Sequence, residues 1–165
     1  MAIANLVSVE QYLHSAFEPD AEYVEGRIVE RPLPQKPHSR MQGFLLRALH
    51  EAAHPLGYEI WVEQRIRTRR NPDHYRVPDL CVTLGEPPEN TFTDPPALCI
   101  EILSPEDSAL AIRQKVEEYL AFGVPHVWVI DPVLRTGMIH SGGGTRRADD
   151  GLFQFADILC DLSEM

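Results

Sequence analysis

Three charged side chains stand where apolar ones belong. In "VPDLCVTL" (77–84) and "ALCIEILSP" (97–105), Asp79 and Glu101 interrupt runs that otherwise read as buried strands. Alternate strand residues share a face, so Asp79 sits with Val77 and Cys81, and Glu101 with Cys99 and Leu103. Neither acid has a polar face to occupy. A lone carboxylate in a core is costly enough that it neutralises, pairs with a base or binds a cation. The third exception is Lys115. On a helix turning about 100° per residue from Ile112 at zero, Ala109, Val116, Tyr119, Leu120 and Phe122 lie within about −80° to +80°, and Lys115 lies among them near −60°. Glu117, Glu118 and Gln114 take the opposite, solvated side. Either Lys115 snorkels at a rim, its stem over apolar surface and its ammonium in water, or the ammonium reaches the two carboxylates. The second arrangement explains all three exceptions together.

The elements that must position these groups alternate between helix and strand. "SVEQYL" predicts a short helix near 8–16 with Ser8 as N-cap. "AEYVEGRIVERP" predicts a hairpin turning at Glu25-Gly26. "SRMQGFLLRALHEAAH" is an amphipathic helix with Ser39 as cap and Pro55 beyond its end. The extended stretch "YEIWVEQRIRT" leads through the turn "RRNPDH" to the Asp79 strand. After the Glu101 strand, Ser104 or Asp107 caps a helix that Gly123 ends. "HVWVID" is a buried strand, and "TGMIHS" with "LFQFAD" reads as a closing hairpin. Helices interspersed with strands around a mixed sheet predict an α/β fold.

Composition sets outer bounds. The 165 residues, 44% hydrophobic and 24% charged, fit one domain spanning 1–165 with a substantial core. "MAIANLVSVEQYL" lacks the pattern of a secretory leader, and no run is long enough to span a bilayer, so a cytoplasmic chain with no membrane partner is expected. Cys81, Cys99 and Cys160 lack metal-site spacing, which favours reduced thiols. The formal charge of −10 opposes general attraction to phosphate backbones. The one concentrated positive patch, Arg65, Arg67, Arg69, Arg70 and Arg76, could touch a phosphate backbone or protect a solvated strand edge.

Pro78-Asp79, the "EIL" at 101–103 and the later Lys115 resemble the PD-(D/E)XK nuclease superfamily. More specifically, "AEYVEGRIVE", His38, "VPDLCV", "IEILSP" and "KVEEYLAFGVPHVWVIDP" resemble the Uma-two family of restriction-endonuclease-like proteins, from about residue 8 to residue 135. That resemblance implies a restriction-endonuclease-like mixed sheet flanked by helices and metal-dependent hydrolysis of DNA. It makes Asp79 and Glu101 the metal-binding acids, with the backbone carbonyl of Ile102 as a further ligand. Mg²⁺ is the implied ion, with Mn²⁺ as a substitute, since hard oxygen ligands and retained waters suit it. The superfamily places Lys two residues after the Glu; here Leu103 stands there, and Lys115 matches the family's helical lysine. It would orient or help deprotonate the attacking water and steady charge on the phosphate.

Two further positions match by resemblance. Glu22 corresponds to an acid on the first hairpin strand that could contact metal or water, whereas Glu25 in the turn reads as a surface acid. His38 matches a histidine at the start of the long helix, where it either contacts the acids or a phosphate, or serves as a cap. Ala111 departs from the family, which usually carries an acid there. Cys81, Cys99, Tyr119 and Trp128 read as core. The family's habit of pairing and the exposed edges of a small mixed sheet suggest a symmetric homodimer. A non-catalytic oligomeric or interaction module that keeps the nuclease fold is the rival reading, favoured by the acidic balance and Ala111.

Overall fold

The computed structural model describes residues 6–17 and 20–165. The first five residues of the stretch read for a leader lie outside them. Helix α1 (Val9–Leu13) opens on Ser8, whose hydroxyl accepts the Gln11 N–H while the Gln11 side chain accepts the Ser8 N–H, a reciprocal cap. Strands β1 (Ala21–Val24) and β2 (Arg27–Glu30) form the expected hairpin, with Glu25 and Gly26 both in the left-handed region (φ 51° and 82°), as a two-residue turn of this hand requires. Helix α2 (Lys36–Ala53) precedes β3 (Tyr58–Val62), β4 (Ile66–Arg69), β5 (His74–Arg76), β6 (Leu80–Leu84) and β7 (Leu98–Ile102). Helix α3 (Ala109–Phe122) leads to β8 (His126–Asp131), β9 (Thr136–Ser141), β10 (Gly144–Arg147), β11 (Leu152–Phe155) and β12 (Ile158–Asp161). No helix among the described residues is long and apolar enough to cross a membrane.

The main sheet runs β10-β9-β8-β7-β6-β3. Its β7–β8 pair is parallel and the others antiparallel. A parallel pair cannot be closed by a tight turn, and α3 is the crossover that closes this one. A second sheet runs β2-β1-β5-β4, and β11-β12 is a separate ribbon. All five residues of β7 are buried. Leu98, Ile100 and Ile102 join Leu80, Met41, Leu45 and Trp128 in one apolar cluster; Cys99 joins Cys81, Val116, Tyr119 and Val127 in another. By alternation Glu101 belongs to the second face, beneath α3. The α/β architecture, a mixed sheet flanked by helices, is the one the sequence predicts.

Several local boundaries differ. Helix α2 starts at Lys36, with Gln35 at its cap and Pro37 in its first turn, a place where a missing N–H costs nothing; Ser39 lies inside. The stretch "YEIWVEQRIRT" breaks at Glu63 (φ 51°) into strands of different sheets. Ser108, not Ser104 or Asp107, caps α3, and Gly123 (φ 111°) ends it as expected. "TGMIHS" pairs with β10 through the glycine loop, while "LFQF" pairs with β12, so the closing hairpin is two hairpins.

Gly137 lies across from Ile130 in the β8–β9 ladder, and a Cβ there would collide with the Val129 carbonyl. Gly137→Ala is therefore expected to destabilise the fold by about 1–3 kcal/mol. A thermal melt checks this, and an unchanged Tm would mean that the two strands part easily.

Candidate active site

The β6–β7 register pairs Leu80 with Ile100 and Cys81 with Cys99. One step further, Asp79 stands across from Glu101. The ladder there is completed by a side chain, as Asp79 Oδ2 accepts the Ile102 N–H at 2.7 Å. Both acids are buried, each 4% exposed. With Lys115 and Ile102 they line one cavity of about 200 Å³. The structure thus brings together the three residues that looked anomalous in the sequence.

Lys115 does not snorkel to water. Its Nζ lies 3.1 Å from Glu101 Oε2 and 3.1 Å from Glu22 Oε1. Glu22, on β1 and 1% exposed, also accepts the Val77 N–H at 3.1 Å and Arg76 Nη1 at 3.0 Å. Arg76 continues to Glu118 Oε2 at 2.6 Å, and Glu118 accepts the Thr68 hydroxyl and faces His74 Nδ1 at 3.1 Å. Charges of alternating sign therefore run from Glu101 to Glu118. Helix α3 explains this run. It packs its Val116 and Tyr119 side against the main sheet, while Lys115 and Glu118, neighbours three residues apart, reach residues of β1, β4 and β5 in the second sheet. Glu118 is consequently paired and mostly buried, not on a solvated side as the helical arc suggested.

Asp79 has two basic neighbours. Arg31 Nη2 approaches its Oδ1 at 2.6 Å and His38 Nε2 at 3.3 Å, so His38 contacts an acid of the site. Arg31 was not anticipated: it follows β2 in an ordinary polar run, and its reach to Asp79 depends on how the hairpin docks. The Tyr119 hydroxyl, read as core, donates to Glu101 Oε1 at 2.7 Å. The signal for that bond was available, since Tyr119 lies one helical turn beyond Lys115 on the same arc. Glu25 remains an exposed turn acid paired with Arg69, and Ala111 is exposed. The arginine patch is largely engaged: Arg67 pairs with Asp73, Arg69 with Glu25, Arg76 with two buried acids, and Arg65 lies 4.5 Å over the Tyr12 ring. Cys81 and Cys99 face each other in register as free buried thiols whose pKa burial raises, making them inert core groups.

These placements separate the two acids electrically. Burial alone would raise the Asp79 carboxyl, but His38, Arg31 and the Ile102 N–H hold it below its ordinary value. Burial pushes Glu101 up to about 7, with Lys115 opposing and Asp79 and Glu22 adding to the rise. Burial disfavours charge on Lys115, yet Glu101 and Glu22 raise its pKa above the usual lysine value, so it is a fixed cation. Burial likewise disfavours charge on His38, and the contact with Asp79 outweighs it.

Among the described residues no three His, Cys, Asp or Glu side chains form a group that could hold a metal ion. A cation here would have to be held by Asp79 and Glu101, with backbone, water or substrate oxygens completing its shell. The donor set fits a hard divalent ion used in that way. Each carboxylate offers about four lone-pair positions; Asp79 accepts three contacts and Glu101 two. The cavity wall is acidic in balance, with Asp20, Glu63, Asp79, Glu101 and Asp107 against Arg31, Lys115 and His38.

A family model described as "Putative restriction endonuclease", Uma2, matches residues 9–158. Among solved structures, the chain is similar to a putative nuclease belonging to DUF820 from Anabaena variabilis ATCC 29413. The two share 28% identity over 96% of this chain and 93% of that one, with a TM-score of 0.79. None of the curated proteins compared matches the chain.

The Arg76 pairing makes two expectations. Arg76→Met takes the guanidinium from Glu118 and one of two cations from Glu22, and should cost about 3–5 kcal/mol, visible as a lower Tm. Burial would raise the Glu118 carboxyl, but Arg76, Thr68 and His74 hold it below its ordinary 4.5. Its contribution is therefore complete above that value and lost as pH falls through the lowered folded pKa. Urea melts between about pH 3 and 6 should show stability falling with acidification more steeply in the parent than in Glu118→Gln. Parallel curves would remove Glu118 from the account.

Proposed function

Because the chain belongs to the Uma2 family, we propose that it is a metal-dependent DNA endonuclease in which Asp79, Glu101 and the Ile102 carbonyl hold Mg²⁺, with Mn²⁺ as a substitute. The observation that carries this reading is the half-buried Lys115 ammonium, held between Glu22 and Glu101 at the wall of the cavity that Asp79 also lines. When bound, the ion acidifies a water and offsets charge on the phosphate. Lys115 has three N–H donors and uses two on Glu22 and Glu101. The third is left to orient the attacking water and to bond the phosphate oxygen as charge builds there. Being a fixed cation, Lys115 donates hydrogen bonds; the proton shed by the attacking water would pass to solvent in the cavity, and the leaving oxygen would take one back from solvent. Glu22 and Tyr119 hold Lys115 and Glu101 in place, and His38 and Arg31 orient Asp79. The protein acts in this reading as a symmetric homodimer in the cytoplasm. Supporting the pairing, β3 and β10 end the main sheet with open edges, and Val62 on β3 is an exposed apolar residue. Sedimentation at micromolar concentration should give twice the chain mass, and a pure monomer would refute the pairing.

One observation favours the rival, a non-catalytic interaction module that keeps the fold. Arg31 already supplies Asp79 with a cation at 2.6 Å, and a protein without metal would need one there. The two readings part under Mg²⁺. In the catalytic case, saturating Mg²⁺ (100 times Kd) stabilises the parent by about 2.7 kcal/mol. Asp79→Asn loses that response and also lowers the Tm without metal, because Arg31 and His38 lose the charge they face. Lys115→Met should lower kcat by roughly 10²–10³-fold on a panel of single-stranded, duplex and branched DNA. No Mg²⁺ shift and no cleavage of any of these would establish the non-catalytic module.

A further inference from the structure

A second recess adjoins the first. It encloses about 360 Å³ between the start of α2 and the turn after β8, with apolar walls of Pro37, Leu103, Pro105, Pro132, Val133 and Leu134. That volume lies within the roughly 300–1,000 Å³ of small-molecule sites. His38 and Ser104 line both cavities.

His38 is a party wall with one polar atom unused. Its Nε2 faces Asp79, whereas its Nδ1 is buried without a partner, in a ring only 6% exposed. A buried polar atom in that condition calls for an explanation, and a bound ligand supplies one. At the outer rim, Val133 and Leu134 are each 70% exposed. They are fixed there because the Asp131 carboxylate accepts both their N–H groups at 2.9 Å. Exposed apolar side chains on a pinned turn, beside an apolar recess that opens onto a phosphodiester site, match the flat face of a heterocycle.

Charge narrows the substrate further. Duplex affinity comes largely from Lys and Arg on phosphates. Here Arg67, Arg69 and Arg76 are engaged by acids and the chain carries −10. Binding can then draw on the bases, whose apolar faces the proline, valine and leucine walls are able to cover. We propose that this recess receives an unstacked nucleobase of the nucleotide adjoining the scissile phosphate, so that the substrate is a DNA strand with unpaired nucleotides and not an intact duplex. The proposal rests on the reading of the neighbouring cavity as the phosphodiester site. The proline and leucine walls cover the base face, and its polar edge lies toward the side of the recess that His38 and Ser104 line.

Fluorescence anisotropy with end-labelled oligonucleotides, in Ca²⁺ in place of Mg²⁺, tests the idea separately from cleavage. A single strand or a flap should bind the full chain about tenfold or more tightly than a blunt duplex of the same sequence. The double variant Val133→Ser, Leu134→Ser changes only exposed side chains and no charge. It should keep its Tm and its duplex affinity while losing the preference for single strands, and abasic single strands should lose that preference on the parent. Equal binding of single strand and duplex overturns the proposal. So does a preference that survives both the double variant and the abasic strands. Cleavage in Mg²⁺ without strand preference would sink the recess and leave the nuclease reading standing. A recess-dependent preference without cleavage of any substrate would do the opposite, and no binding at all would end both.

Discussion

Everything at the site depends on one ammonium drawn in from the surface. Lys115 can be half-buried because two carboxylates on different sheets, Glu22 and Glu101, meet it at the same distance. A buried charge without such partners would be untenable. The requirement is mutual: without Lys115, Glu101 would face Asp79 and Glu22 with only a tyrosine hydroxyl to help it. Helix α3 therefore acts as a partition that must touch both sheets, and the docking of the first hairpin is as much part of the site as the strands bearing the acids.

The sequence shows this unevenly, for identifiable reasons. Asp79, Glu101 and Lys115 are legible because each breaks a periodic apolar pattern, and a broken pattern is visible locally. Arg31, Arg76 and Glu118 break no pattern; they lie in polar stretches where charge is ordinary, and only the packing of the second sheet on α3 reveals that they are paired. Glu118 shows the limit of a single-arc helical reading, which assumes one buried side, while α3 is covered on two. The strand boundaries missed at Glu63 and after Ser141 arise where single residues adopt left-handed backbone or where a glycine loop sets the turn, conditions that hydrophobic periodicity does not register.

The two acids also show how environment differentiates identical chemistry. Asp79 has three donors, from Arg31, His38 and the Ile102 N–H, and stays ionised; Glu101, equally buried but next to other carboxylates, is pushed toward neutrality. Such a pair is unbalanced in charge, and a divalent ion between them would relieve the repulsion on Glu101 while leaving the contacts of Asp79 in place. The acidic cavity wall and the engaged arginines point the same way. A positive charge at the centre of this face would meet an acidic surround.

Helix α3 carries Lys115, Val116, Glu118 and Tyr119 within about one and a half turns, and these side chains answer to different parts of the molecule. Adding or deleting a single residue upstream within the helix would swing this set by about 100°, turning the ammonium away from its acids and the tyrosine out of the core together. The frame of the helix is thus intolerant of length change between Ser108 and Tyr119. The loop from Leu103 to Asp107 lies before the cap, so an insertion there leaves that phase undisturbed, although it would reshape the cavity walls to which Ser104, Pro105 and Asp107 contribute. Natural length variation among chains of this architecture should accordingly collect before the cap and be absent within the helix.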